Sequence, residues 1–528
     1  MSYDTIIIGG GHNGLVCAAY LAKGGQRVLV LERRHLVGGA AVSEQIYPGF
    51  TYSVASYVVS LLRPAIVRDL ELARFGYDLI PLDATFSPDR DGPGLLRTSD
   101  NGETHREISR HSRRDADTYP LFGRTMARMG KIISGSLDHP LPAGLPLSPA
   151  FLRDARALTS GILHASAEDR ALLARMLTMS ATDFLSRWFE SDRLKAALSV
   201  SGIIGTFQGV SSPGTAYVLL HHYMGEIDGS YRAWGFCRGG TGAVSEAIAS
   251  AAKSFGAAIR TEASVSKILV ENGAATGVVL QDGEEIRAKS VVSGLDPQRT
   301  FRGLLSPSVL PSDFLEQLSR YRMRGSSAKV NLALDSLPEF ACRPGFGPHL
   351  SGDITICPNV RYLEDAFDEA VLGKFSRRPF LDVMIPSLID PSLAPRGKHV
   401  MSIFVQYAPY HLSSGAETWP EHRDALGNAV LETLEEFMPG LSSRVLHRQV
   451  LTPWDLESTF GLTEGNIFHG ELSLEQLLFL RPVSGFARHR TPVRHLWMCG
   501  SGTHPGGGIM GASGRNAALL ILSAGGRS

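Results

Sequence analysis

Gly9, Gly11 and Gly14 are spaced as Gly-x-Gly-x-x-Gly, directly after the apolar run Asp4-Thr5-Ile6-Ile7-Ile8. That order puts a tight turn between a buried strand and a helix. The first glycine permits the turn, the second lets backbone approach a pyrophosphate, and the third lets helix and strand pack closely. The helix start then offers unpaired N–H groups and the positive end of its dipole to phosphates. Glu32 closes a second strand (Arg27 to Glu32), 18 residues after Gly14. A carboxylate there accepts hydrogen bonds from an adenosine ribose and repels a 2′-phosphate, which disfavours NADP. Arg33 follows it.

NAD and FAD both carry that ribose, so two further segments decide between them. Gly38-Gly39, followed by Ala40, brings a second loop to an extended pyrophosphate. Gly500-Ser501-Gly502-Thr503-His504-Pro505-Gly506-Gly507-Gly508, leading into Ile509 and Met510, lies hundreds of residues away on a strand-to-helix connection. Gly506-x-Gly508-x-x-Gly511 repeats the glycine spacing, but the chain ends at Ser528. A second strand and acid are therefore not expected, and this helix start is expected to face a flavin ring, where negative charge develops on reduction. The cofactor expected is FAD, bound non-covalently. Gly239-Gly240-Thr241-Gly242 lacks a preceding apolar strand and is not read as a nucleotide turn. Val265 opens a later strand whose backbone is expected to meet the adenine.

No metal cluster or Ser-His-Asp set stands out, so the protein's task is to position the cofactor and substrate. His469, in Gly465-Asn466-Ile467-Phe468-His469-Gly470, and His504 are the candidate acid, base or hydrogen-bonding groups beside the flavin, against the alternative of structural histidines. His221-His222, Tyr231 and Trp234 are cavity-lining candidates, with core packing the alternative. Trp454, Phe460 and Phe468 suggest, loosely, an aromatic cage.

The elements that must hold these groups can be read in outline. Helices are expected over Leu15 to Lys23, Gly242 to Phe255 and Ile509 to Ser523, and through His164 to Leu198. Strands are expected at Val265 to Val270, Thr276 to Leu280, Lys329 to Leu334, His399 to Val405 and Leu496 to Cys499, with hairpin turns at Gly273 and Asp282-Gly283. The chain has 528 residues, 43% of them hydrophobic, enough for two large domains or three smaller ones. Lys plus Arg equals Asp plus Glu at 52 each, so a basic nucleic-acid footprint is not expected, with local patches left open. The five cysteines include no CxxC pair, and neither a disulfide framework nor a redox dithiol is expected. A first strand from about Tyr3 leaves no stretch for a secretory leader, and no apolar run reaches ~18 residues. A cytoplasmic protein is expected, with attachment to a membrane face left open. The Pro- and Leu-rich loop Leu141 to Phe151 is the candidate docking segment.

IIIGGGHNGLVCAAYLAKGGQRVLVLERRHLVGGAAVSE, GGTGAVSEAI, GNIFHGELSLEQLLFLRP and GSGTHPGGGIMGASGRNAA together span nearly the whole chain. This set resembles the phytoene desaturase-like flavoproteins, which include bacterial-type phytoene desaturases, carotenoid isomerases and retinol saturases. It is most similar to their pyridine nucleotide-disulfide oxidoreductase domain-containing protein 2 subgroup. The resemblance implies an α/β, amine-oxidase-like two-domain flavoprotein, with a Rossmann-type FAD domain and an inserted α+β substrate domain. Residues 1–100, 235–300 and 451–528 would form the FAD domain; 101–234, mainly helical, and 301–450, sheet and helices, the substrate domain. It also implies a FAD-dependent dehydrogenase or desaturase moving a hydride between a hydrophobic, conjugated small molecule and flavin N5. Isomerisation of a polyene, amine oxidation and a flavin-holding interaction protein are the alternatives. Two departures stand out. Many relatives carry Arg or Lys where this chain has Ala40-Ala41, so one phosphate contact must come from backbone or elsewhere. Gly500-Ser501 replaces the common Gly-Asp.

Overall fold

The computed structural model describes residues 3–142, 148–227, 230–231 and 234–525. The first sheet grows from the β-branched N-terminal run. Strand Tyr3–Ile8 pairs in parallel with Val28–Leu31 on one side and with the end of Glu285–Ser293 on the other. Ala258–Arg260 extends the first edge and Leu496–Met498 pairs with Glu285–Ser293. Alternation along these strands sends successive side chains to opposite faces. Ile7, Val28, Val30 and Val292 pack under the helices His12–Lys23, Thr241–Ser254 and Ala512–Gly525. Ile6, Ile8, Leu29, Leu31 and Val291 face Ile268, Val278 and Leu280 of the antiparallel strands Val265–Glu271 and Ala274–Leu280. Burial on both faces is why these strands read as unbroken apolar runs.

The second sheet runs in the order 445–451, 327–334, 399–406, 380–384, 353–356, 84–87, 95–98. Every residue of Ser327–Leu334 is buried. Val330, Leu332 and Leu334 pack with Trp419, Leu426 and Val430 of helix Trp419–Glu435. Lys329 alternates to the opposite face. A helical insertion covers that side, with helices Asn101–Ser109, Arg113–Leu137, Pro149–His164, Ala167–Thr178 and Thr215–Tyr223 among its elements. Asp100, Ser112, Ser148, Ser166, Ser180 and Ser191 each cap a helix there through their side-chain oxygens.

Two expected boundaries move. Ala84–Ser87 and Leu95–Thr98 join the second sheet, so the crossing between units precedes residue 84 rather than following residue 100. Phe301, Leu304, Phe314 and Leu318 pack in the core of the first sheet, so that unit continues past residue 300. Short strands and a helix without a composition change carry no local sign of which core they join. Helix His12–Lys23 starts three residues before its expected position, and Ala512–Gly525 three residues after.

Candidate active site

Glycines make the first wall. A Cβ on Gly14 would meet the Gly9 carbonyl oxygen at 2.3 Å, and one on Gly39 would come within 3.3 Å of the Gly11 Cα. Helix His12–Lys23 begins from Gly11 with no side-chain cap, leaving its first N–H groups for a ligand. The Glu32 carboxylate is held by the Gly10 N–H at 2.8 Å and the Arg34 N–H at 2.9 Å. Gly9, Gly11, Gly14, Glu32, Arg33, Gly38, Gly39, Ala40 and Val265 all line one cavity of about 600 Å³, together with Ser501, Gly508 and Ile509 from the other end of the chain. Gly500 and Met510 do not. A Cβ on Gly500 would strike the Gly294 carbonyl oxygen at 2.6 Å, and Met510 is buried among Leu61, Leu137 and Met224. Both support the wall from behind.

The two ends of the chain meet through helix packing. Asn13 donates to Ser501 Oγ at 3.1 Å, and a Cβ on Gly514 would overlap the Asn13 carbonyl oxygen at 2.1 Å. Only glycine allows helix Ala512–Gly525 this close to the first helix. The cavity therefore has Glu32 at one end and the Ser501–Ile509 turn along its length. It combines bare backbone, an acid and unpaired helix N–H groups. His12 Nε2 and His469 Nδ1 are buried with no hydrogen-bond partner among the described residues. These features fit a dinucleotide with a polar ring system at its far end.

The histidine expectations part company. His469 lines the cavity, in the left-handed region at φ 57°. Asn466 shapes its turn by accepting from the N–H groups of Phe468 at 3.0 Å and Gly470 at 2.9 Å. Burial lowers the His469 pKa, so the ring is neutral near pH 7. His504 does not line the cavity. Its Nε2–H donates to the Ser136 carbonyl at 3.2 Å, and burial pushes its pKa down to about 4. His222 and Trp234 line the cavity, with His222 stacked between Trp234 and Phe468 at 6.4 and 6.2 Å. His221 instead donates to the Gly507 carbonyl at 3.2 Å and braces the glycine turn. Tyr231 lies in a short strand, and its side chain lies outside the described residues.

Arg481, not singled out in the sequence, ties the far end together. It is fully buried. Its guanidinium donates to the carbonyls of Ser501 (2.9 and 3.1 Å), Phe468 (2.8 Å), Gly470 (3.2 Å), Glu471 (3.3 Å) and Gln476 (3.2 Å). One side chain thus joins the His469 loop to the Ser501 turn.

Lys329 also escaped sequence reasoning. It lines the cavity from the second sheet, hydrogen-bonded to Ser402, with its ammonium 4.7 Å from the Tyr57 ring centroid. Burial pushes its pKa down to about 7. The Tyr57 hydroxyl donates to Asp382 at 2.6 Å. Asp382 neighbours Asp353, and burial raises the pKa of both carboxyls. A lysine in a strand of alternating apolar residues could have shown this position.

Phe460 and Phe468 line the cavity, but Trp454 does not; it stacks on Tyr410 at 6.1 Å. Phe460 lies under the Arg34 guanidinium at 5.0 Å, near Glu32, so the three aromatics form no cage. All five cysteines are free thiols. Cys17 and Cys499 nevertheless pack together, and Cys499 and burial raise the Cys17 pKa, which disfavours a reactive thiolate. The centre of the expected docking loop, residues 143–147, lies outside the described residues. Leu141 at its start is buried against Leu158 and Ala487, and Pro149 to Phe151 begin a helix. No helix among the described residues is long and apolar enough to cross a membrane.

The sequence model for flavin containing amine oxidoreductases matches residues 152–522, and that for an NAD(P)-binding Rossmann-like domain matches residues 7–68. The chain is 42% identical over 542 residues to pyridine nucleotide-disulfide oxidoreductase domain-containing protein 2 of Rattus norvegicus, covering 98% of this chain and 93% of that one. It is 27% identical to a lycopene-forming phytoene desaturase of Pseudescherichia vulneris, covering 98% and 99%. The cyclohexylamine oxidase of Brevibacterium oxydans shares the fold, with a TM-score of 0.58 at 17% identity over the full length of both chains. Family, fold and site agree on FAD as the cofactor and on FAD-dependent oxidation or reduction of a small molecule. The chain belongs to the flavin containing amine oxidoreductase family.

Proposed function

We propose that the protein is a dehydrogenase or desaturase that oxidises a hydrophobic, conjugated small molecule. One observation carries this reading: beyond the Ser501–Ile509 turn the cavity is walled by Tyr57, Val58, Leu61, Ile204, Trp234, Phe404, Ile467 and Phe468. Such a wall excludes water and favours an apolar body. FAD, when bound, supplies the acceptor for a hydride leaving the substrate. Glu32, the glycine turn and the free N–H groups of the first helix hold its adenosine and phosphate half, and the backbone at Val265 meets the adenine. Ala40 provides no phosphate cation. Arg299 takes that role: it lines the same cavity, and its guanidinium lies 3.4 Å from the place a Cβ on Gly461 would occupy, beside Arg33 at 3.5 Å.

His469 is assigned as the group that holds or moves a proton, at Nδ1, beside the reacting end. Lys329, readily neutral near pH 7, is a second proton-exchanging group on the opposite wall. His504 supports the glycine turn from behind. Amine oxidation is the second reading, favoured by the family match, and isomerisation is separated from both by a product with no mass change. Membrane contact is assigned to Leu478, Phe479 and Leu480, three consecutive exposed apolar side chains; absence of liposome flotation would remove it. The test of the main reading is anaerobic screening of hydrophobic polyenes and amines for flavin bleaching. Bleaching by a polyene, with loss of two hydrogens, supports it; bleaching by amines alone overturns it.

A further inference from the structure

A buried ammonium needs a partner to offset its lost hydration. Lys329 is 2% exposed, and its hydrogen bond goes to the neutral Ser402 hydroxyl. The acid whose charge acts on it is Asp382. The sheet holds these two groups apart. Lys329 pairs in register with Phe404, and Phe404 with Asp382. Residues directly opposite one another project from the same face, so the three stand in a row. Two strand spacings separate Lys329 from Asp382, roughly 10 Å, too far for direct contact between the strand positions.

Tyr57 closes that gap. Its ring centroid lies 4.7 Å from the ammonium, within the range of a cation–π contact. The ring stacks on Phe404 at 6.2 Å, with 28° between the planes. Its hydroxyl donates to Asp382 at 2.6 Å, a length typical of charge-assisted O–H···O⁻ bonds. Sharing that proton leaves more electron density on the phenol ring, and a richer ring attracts a cation more strongly. Tyr57, Phe404 and Lys329 all line the main cavity.

Other charged groups around this row are turned elsewhere. Leu451, opposite Lys329 on the other neighbouring strand, is apolar. On helix Pro453–Phe460, Asp455 pairs with Arg423, and Glu457 accepts from the Tyr410 hydroxyl. Asp353 stands beside Asp382, and Arg97 is in register with Thr85, which pairs with Asp353. Both lie beyond Asp382, on the side away from Lys329.

We propose that Tyr57 is a positioning residue for Lys329: its ring holds the ammonium at the cavity wall, and its hydrogen bond couples that ammonium to Asp382 across two strands. Tyr57 thereby sets the pH at which Lys329 gives up its proton. The proposal rests on the proton-exchanging reading of Lys329 only for its consequence in turnover.

The test is NMR titration of the holoenzyme carrying lysine labelled with ¹³C at the ε carbon, the Lys329 signal being the one missing from Lys329→Met. In Tyr57→Leu, which removes the ring, the Lys329 midpoint should fall by about one pH unit or more. Tyr57→Phe keeps the ring but loses the link to Asp382, and a smaller fall is expected. Asp382→Asn should lower the midpoint less in the Tyr57→Phe background than alone. Pentafluorophenylalanine at position 57 keeps the ring but reverses its charge distribution, and should lower the midpoint below that of Tyr57→Phe. A merely structural tyrosine would change Tm and leave these midpoints together. A Tyr57→Leu midpoint equal to or above that of wild type overturns the proposal. So does a pentafluorophenylalanine midpoint equal to that of Tyr57→Phe, a comparison that stands even if Tyr57→Leu does not fold. Midpoints that move while the pH profile of flavin reduction stays fixed would retain the Tyr57–Lys329 link and discard the proton role of Lys329.

Discussion

Replacing Arg481 with Met should loosen the far end of the site more than any other single change there. Methionine fills much of the same volume but donates no hydrogen bond. The carbonyls of Phe468, Gly470, Glu471, Gln476 and Ser501 would lose their shared donor in a fully buried setting. Charge-assisted hydrogen bonds contribute about 1.5–3 kcal/mol each, but bonds from one group are not additive. Losing the buried charge also relieves its desolvation cost. A net loss of about 3–5 kcal/mol is expected, as for other broken buried polar networks. At ~2.1 cal/mol/K per residue, a chain of this size melting as one unit would lose about 3–5 °C in Tm. Because Arg481 joins the His469 loop to the Ser501 turn, FAD should also dissociate at least ten-fold faster. Arg481→Lys should rescue little, since one ammonium cannot span five carbonyls. The assays are thermal melting of apo- and holoprotein and the rate of FAD release after dilution. A variant melting within 1 °C of wild type and retaining FAD equally well would refute the reasoning.

Other predictions follow from the same geometry. Gly14→Ala should abolish FAD binding, because its Cβ would overlap the Gly9 carbonyl; reconstitution monitored by flavin fluorescence quenching checks it. Arg299→Ala should weaken FAD at least ten-fold while leaving affinity for free riboflavin unchanged, as titration of the apoprotein would show. His469→Ala should lower the rate of flavin reduction by 10²-fold or more with Tm nearly unchanged, whereas His504→Ala should lower Tm and leave that rate within about three-fold; the order 10² is typical of a lost acid–base group. For Lys329, whose folded-state pKa is about 7 against ~10.4 unfolded, the folded protein binds fewer protons between those values. Its contribution to stability therefore rises with pH from about 7 to 10, a slope that denaturant titration should find reduced in Lys329→Met.

The glycine fingerprint, Glu32 and the far C-terminal turn were legible in the sequence because their chemistry is local: each needs a bare backbone or an acid at a fixed offset from a strand. Val265 was placed by its position in the strand order. Arg481 was not legible. It follows an apolar run and looks like a surface arginine, and its role arises only where two loops converge on its guanidinium. His504 illustrates the opposite error. Ser501 and Gly508, at either end of its turn, line the cavity, but the His504 ring points toward the Ser136 carbonyl. Arg97, Asp353 and Asp382 come from three strands of the second sheet, so no local pattern brings them together.

The most direct test of the central account is the flavin itself. The purified protein should be yellow and should release FAD, rather than FMN, in about equimolar amount on acid precipitation. Asn13→Leu, which breaks the link between the first helix and Ser501, should release it more readily. A colourless protein that cannot be reconstituted with FAD would contradict the account.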